Sequence, residues 1–442
     1  PTTAESLRHA LTYSWINVLL LCNPVAWALH YSNQAAMPTF VVALLGVIPL
    51  AGLLGFGTES IALYTGDALG GLINATLGNA TEFIIAILLL VKCEIRVVQA
   101  SLLGGLLSNL LLVLGMAFLV GGIRYSEQEF MQTAAQLNTN LMTLAVTALI
   151  FPSAFAFALG SVLDETSEKR VILEMSRGSS IILIIIYITY MVFQLYSHAH
   201  YYNPAADTTA RYHSSSSSSS SSESSDDERS VYQRVKRRGR KMTGRGSADG
   251  NEADRVASEG SEEEEHERPE ANIPVALAIL LGSTGLTYLT AEALTDSLEK
   301  IGESGSVTPE WLGLILLAVV GNAAEHVTAV FVAYRNKVDL ALSVSVGSCI
   351  QIALFVIPLL VLIGWIIDKP LSLLFDPLET VTLFLSVLLV RFATEDGRTH
   401  YMSGVALVGT YILIAFSFWF YPSKGTTTSG LFDEEVCRTH DY

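Results

Sequence analysis

Along the chain, long apolar runs alternate with short polar breaks. Eleven of these runs approach the ~20 residues that a helix needs to cross the hydrocarbon of a bilayer. They lie at about 15–31, 38–64, 68–91, 97–121, 138–160, 177–197, 273–298, 310–334, 339–367, 378–395 and 402–421. The pattern predicts an all-α polytopic membrane protein with about 11 transmembrane helices. The first run, from Trp15 to about His30, is followed by many more spans and by no small-residue cleavage site, so it reads as a retained helix. Between the sixth and seventh runs lies a polar stretch, 199–272, with nine consecutive serines (Ser214–Ser222), a basic cluster Arg234–Lys241 and an acidic run Glu262–Glu265. Such a composition predicts a disordered or partly helical linker, open to phosphorylation beside Glu223, Asp226 and Asp227 or to contact with anionic lipid.

The two sides of the linker resemble each other. Gly78-Asn79-Ala80-Thr81-Glu82 in the third run recurs as Gly321-Asn322-Ala323-Ala324-Glu325 in the eighth. Upstream of each motif lies an acidic site, Thr58-Glu59 and Thr290-Ala291-Glu292; downstream lies a glycine-punctuated apolar run with polar residues, Gly104–Asn109 and Gly347–Gln351. Three landmarks in one order predict two five-helix repeats. An odd number of helices makes the second repeat enter the bilayer from the opposite face, the inverted topology of secondary transporters. The expected divisions are 1–37 with the first helix, 38–198 and 273–421 as the repeats, 199–272 as the linker and 422–442 as a tail.

Composition sharpens this picture. The chain is 51% hydrophobic and 15% charged, well below the roughly one quarter charged in soluble domains. Of its net charge of −16, the linker's 11 basic and 15 acidic residues account for little, so the spanning part is acidic and suits a cationic substrate rather than nucleic acid. Lys and Arg divide almost evenly between the loops of the two faces and barely vote on orientation. An even number of spans precedes the basic, serine-rich linker, which places N-terminus and linker in the cytosol and the C-terminus on the other side. Cys22, Cys93, Cys349 and Cys437 show no CxxC spacing and are expected to be packing residues.

A carboxylate inside a span costs a few kcal/mol even on lenient insertion scales, so it usually faces a cavity or a partner. Glu82 and Glu325 are such residues, and each shares a helix face with the asparagine three positions earlier, Asn79 or Asn322. Gly78 and Gly321 permit close approach or local unwinding that frees carbonyls. Carboxylate, amide and carbonyl oxygens are the hard ligands of which calcium takes six to eight. The bland alternative, that these motifs only pack helices, accounts for the glycines and alanines but not for a matched pair of acids. Neighbouring carboxylates can also hold protons when the metal leaves, so one site can serve both ions in turn. His326 breaks the match, because its counterpart is Phe83; it reads as either a packing residue or a proton-coupling group beside the site. Ser108 and Gln351 occupy matching positions and either add oxygen ligands or satisfy neighbouring helices. Glu59 and Glu292, with Asp67, Asp296 and Glu299 nearby, are expected as vestibule acids or as helix-end carboxylates reaching water.

These residues resemble the CAX family, the calcium/proton antiporters of the calcium/cation antiporter superfamily. The resemblance covers spans two to eleven. It rests on the two GNAxE motifs, on Val98-Gln99-Ala100-Ser101-Leu102-Leu103-Gly104 with Ser108-Asn109, on Ser176-Arg177-Gly178, on His326, and on Gly347-Ser348 with Gln351-Ile352-Ala353. The serine-rich linker looks like that of a fungal, vacuolar-type member. The resemblance implies Glu82 and Glu325 as central cation and proton carriers, with Asn79, Asn322, Ser108, Ser348 and Gln351 lining the site and His326 linked to transport. It departs at Gly104-Gly105, where the family carries Gly-Ser. The expected function is a calcium/proton antiporter that moves cytosolic Ca2+ into an acidic compartment, with Ca2+ and H+ as substrates and no cofactor. Oxygen ligands also suit Mn2+. A sodium/calcium exchanger would need added sodium sites, and a cation channel would not need a broken-helix repeat. Neither HExxH nor a nucleophile elbow occurs, so an enzyme is not expected.

Overall fold

A computed structural model describes residues 2–12, 14–65, 70, 73, 76–159, 165–198, 271–304, 307–421 and 437. The expected linker with its serine, basic and acidic runs, Asp67 and almost all of the tail after 421 lie outside the described residues. What is described is helical apart from two short strands. After α1 (Thr3–Thr12), a tight 3-10 stretch (Trp15–Leu21) runs into α2 (Cys22–Tyr31). The chain continues as α3 (Ala36–Thr65), α4 (Ala80–Val91), α5 (Ile95–Arg124), β1 (Gln128–Glu129), α6 (Gln132–Leu159) and α7 (Glu165–Val192). Beyond the linker come α8 (Ile273–Ser304), α9 (Pro309–Gly321), α10 (Ala323–Tyr334), α11 (Val338–Ile366), α12 (Pro377–Ala393), β2 (Arg398–Thr399) and α13 (Tyr401–Trp419). The strands β1 and β2 pair antiparallel, Gln128 opposite Thr399.

Among the described residues seven helices are long and apolar enough to cross a membrane, and α9 with α10, bent by 52°, is long and apolar enough only when the two are taken together. The eleven runs read from the sequence are thus met only in part, for a local reason. The third run is interrupted at Gly78-Asn79, leaving α4 only 12 residues, and the eighth is interrupted at Asn322. The first is divided between a 3-10 stretch and α2, and α12 has only 17 residues, with Glu379 and Arg391 within it.

Burial separates centre from periphery. In α5 and α11, 72% and 67% of the most apolar stretch is buried, against 22% in both α8 and α13. The helices that carry the glycine-punctuated polar motifs are therefore the inner ones, and polar residues there face protein. Gly104 makes this packing possible: a β-carbon at that position would run into the backbone carbonyl of Leu314 on α9. Helices α3 and α8 run antiparallel along each other. Tyr64 at the end of α3 donates to the Ala271 carbonyl at the approach to α8, at 3.0 Å, while Gly46 and Thr290 meet at Asn23 of α2.

The cysteines depart from expectation. Cys93, in the turn after α4, is disulfide-bonded to Cys437, 344 residues away, with 5.7 Å between α-carbons. Only Cys22 and Cys349 are free thiols among the described residues. No spacing rule reveals such a pair, because the fold alone brings the two positions together.

Candidate functional site

Asn79 and Asn322 stand at the N-caps of α4 and α10, with φ of −99° and −91°. An N-cap asparagine ordinarily turns its side-chain oxygen onto the first free backbone amides of its own helix. Neither does so here. Asn79 instead reaches across to α11, donating Nδ2 to Gln351 Oε1 at 2.8 Å and accepting the Ser348 hydroxyl on Oδ1 at 2.8 Å. Asn322 donates to the carbonyls of Ala318 (2.9 Å) and Gly105 (3.4 Å) and accepts from Asn109 of α5 at 3.1 Å. Asn109 also donates to Ser348 at 3.2 Å. One polar network thus joins the first-half residues Asn79, Gly105 and Asn109 to the second-half residues Asn322, Ser348 and Gln351.

Glu82 and Glu325 lie one turn into α4 and α10, at the same step from their asparagines. Glu82 rests against the break in the other half, since a β-carbon on Gly321 would sit 3.0 Å from its Oε1. Each carboxylate keeps one buried oxygen without a hydrogen-bond partner, Oε1 of Glu82 and Oε2 of Glu325. Asn109 Oδ1 and Gln351 Nε2 are left over in the same way. A buried polar group without a partner costs about 1–3 kcal/mol, so several of them around one centre describe a place built for something that arrives there.

Helix widening sets which side chains reach the centre. A π-helical segment begins at Ser108 in α5 and another at Ile352 in α11, directly after the polar residues. Such turns commonly mark functional stretches of helices. Ser108, grouped with Gln351 by its place in the repeat, lies beside the Tyr411 hydroxyl of α13 rather than bonding into this network; its neighbour Asn109 takes the bridging position. Gly105, the counterpart of Ser348, supplies only its carbonyl, and a β-carbon there would meet Asn322 Nδ2 at 3.7 Å.

His326 Nδ1 meets the Asn322 carbonyl at 2.8 Å. A carbonyl can only accept, so Nδ1 carries the hydrogen and Nε2, buried without a partner, is the basic nitrogen. The ring is thus tied to the backbone of a site asparagine. The two expected vestibule acids do not come together: Glu59 and Glu292 each lie towards the C-terminal end of one member of the antiparallel pair α3 and α8. Glu59 is exposed, and Glu292 is half-buried. Near Glu292, Lys92 pairs with Asp296, which His30 approaches at 3.5 Å. Burial lowers the Lys92 ammonium below its ordinary pKa, opposed by the charges of Glu299, Glu292 and Glu94. Among the described residues no three His, Cys, Asp or Glu side chains converge as a metal cluster.

Comparison with known proteins places the chain among relatives. The model of the sodium/calcium exchanger protein family matches residues 35–196 and 275–420, which flank the linker. A vacuolar calcium ion transporter of Cryptococcus neoformans var. grubii is 44% identical over 97% of this chain and 77% of its own length. A Ca2+/H+ antiporter of Synechocystis sp. is 36% identical over 92% of this chain and 97% of its own. The solved structure of native YfkE superposes with a TM-score of 0.67 at 27% identity, covering 91% of this chain and 99% of that one. With both regions matched by the family model and relatives above 30% identity along most of its length, this chain belongs to the sodium/calcium exchanger protein family.

Proposed function

We propose that this protein is a calcium/proton antiporter that loads an acidic compartment, the vacuole, with cytosolic Ca2+. The observation that carries this reading is the pair Glu82 and Glu325, both half-buried and each with one enclosed, orphaned carboxylate oxygen, at a polar network shared by the two halves. Two uncompensated negative charges cannot stand in a low-dielectric interior. Either one divalent cation or two protons restores neutrality, so the same pair exchanges one for the other. Asn79, Asn322, Ser348 and Gln351 complete the oxygen set, Asn109 joins them, and Ser108 supports from the neighbouring turn. His326 acts from beside the site. Glu59 and Glu292 draw cations to opposite mouths. The names of the relatives, vacuolar calcium ion transporter and Ca2+/H+ antiporter, support the substrate pair.

Eleven spans, one extra N-terminal helix and two inverted five-helix repeats fit alternating access, with α4 and α10 as broken helices at midplane. The linker lies in the cytosol and the tail in the lumen on this topology. The decisive experiment is Ca2+ uptake by sodium-free vesicles containing the purified protein. An acidic interior should drive uphill accumulation that a protonophore abolishes. Uptake that follows sodium, or that only dissipates a calcium gradient, would replace this reading with a sodium exchanger or a channel; Mn2+ competition in the same assay reads selectivity.

A further inference from the structure

The turn between α4 and α5 holds a residue that its backbone disfavours. Helix α4 ends with Glu94 N–H donating to the Leu89 carbonyl at 2.9 Å and Cys93 N–H to that of Leu90 at 3.1 Å, which leaves Cys93 at φ 66°. This left-handed position after a helix usually takes glycine and sometimes asparagine. A β-carbon there costs roughly 1–2 kcal/mol. The equivalent turn after α10 follows the rule: Lys337 donates to Val332 at 2.9 Å, Asn336 to Ala333 at 3.0 Å, and Asn336 has φ 63°. Where the second half has the tolerated residue, the first half has a cysteine.

Its side chain has a partner. Cys93 and Cys437 are joined and both are buried, at 2% and 0% exposure. Two further attachments converge on the same turn: Lys369, between α11 and α12, donates Nζ to Cys93 Sγ at 3.0 Å, and Lys92 donates to Thr295 of α8 at 2.7 Å while pairing with Asp296. The turn is thus tied to α8, to the α11–α12 connection and to the tail, and only the last tie is covalent.

We propose that Cys93 and Cys437 are an oxidative modification site whose disulfide pins the C-terminal tail to the α4–α5 turn, and that the face bearing this turn is the lumenal one. The bond forms by thiol–disulfide exchange with a disulfide oxidant of the secretory pathway. One cysteine thiolate attacks the oxidant and releases one of its thiols; the second displaces the other. Two cysteine thiols and one oxidant disulfide become one protein disulfide and two oxidant thiols, which take up the two protons. Cytosolic thiols are kept reduced, so a standing disulfide marks the opposite side. This inference is independent of which ion is carried.

The test uses full-length protein in sealed, cytosolic-side-out vacuolar vesicles. Thiols are blocked with N-ethylmaleimide in denaturant, and the protein is digested without reductant and analysed by mass spectrometry. A peptide pair linked through Cys93 and Cys437, separated by reductant, is expected; recovery of both as maleimide-modified peptides overturns the bond. Protease added to the sealed vesicles should cut the serine-rich linker and spare the tail, and tail cleavage before permeabilisation overturns the lumenal placement. Neither readout depends on ion flux, so its failure is distinct from failure of the antiport reading.

Discussion

Asn79 and Asn322 give up their ordinary capping role to bond across the two halves, so the seam between the halves takes precedence over the helix ends beside the two glutamates. Replacing Glu82 or Glu325 by Gln keeps the shape and removes the charge. Each replacement is expected to lower proton-driven Ca2+ uptake at least about tenfold, equivalent to the ~1.4 kcal/mol that separates decades, in protein that still elutes as a folded species. Near-normal uptake by either variant would remove that glutamate from the exchange. For His326→Ala, transport should fall and its pH dependence should change between roughly pH 5.5 and 7.5, around the ordinary histidine pKa. An unchanged profile in sealed vesicles with equal protein would leave His326 as packing. The glutamates and asparagines were legible in sequence because they recur in two places and an acid in a span has no packing rationale. The exchange of Ser108 for Asn109 was not, since a π-helical segment starts at that residue and changes the angle at which its neighbours project.

At the scale of elements, the breaks matter as much as the helices. The GNAxE motifs interrupt two apolar runs, and at the second the chain bends by 52° between α9 and α10. That a break was permitted could be read from Gly78 and Gly321; that it would shorten the count of unbroken spans could not, because hydropathy does not register where a helix bends. Helix α5 has a different requirement. Gly104 lies so near α9 that a β-carbon would collide with the Leu314 carbonyl, which belongs to backbone and cannot rotate away. Gly104→Ala is therefore expected to destabilise the protein by about 1–3 kcal/mol, the usual cost of overpacking, and to lower its melting temperature in detergent. Gly105→Ala, whose β-carbon would meet only ordinary contacts at 3.6 and 3.7 Å, should leave the melting temperature nearly unchanged. Equal shifts in the two variants would mean that α5 and α9 can part without cost.

For the molecule as a whole, the two halves and the linker have unequal roles. The disulfide between positions 344 residues apart was beyond sequence reasoning, because it depends on how the ends of the fold meet. The sequence divides at a segment too polar to join a core, with motifs repeating in one order on either side, and the family model matches the regions that flank it. Shortening the linker across Ser214–Glu265 should leave folded, transporting protein and alter the calcium dependence of uptake; an unaltered dependence would make the segment a passive connector. The network from Asn79 to Ser348 and Gln351, and from Asn109 to Asn322, has a further consequence. Each half contributes acceptors that the other half satisfies, so either half alone would expose an incomplete, polar seam inside the bilayer. The chain is thus divisible in principle: two polypeptides encoded separately and parted within the linker should find each other in the membrane and restore transport together, while each by itself is inert and prone to degradation.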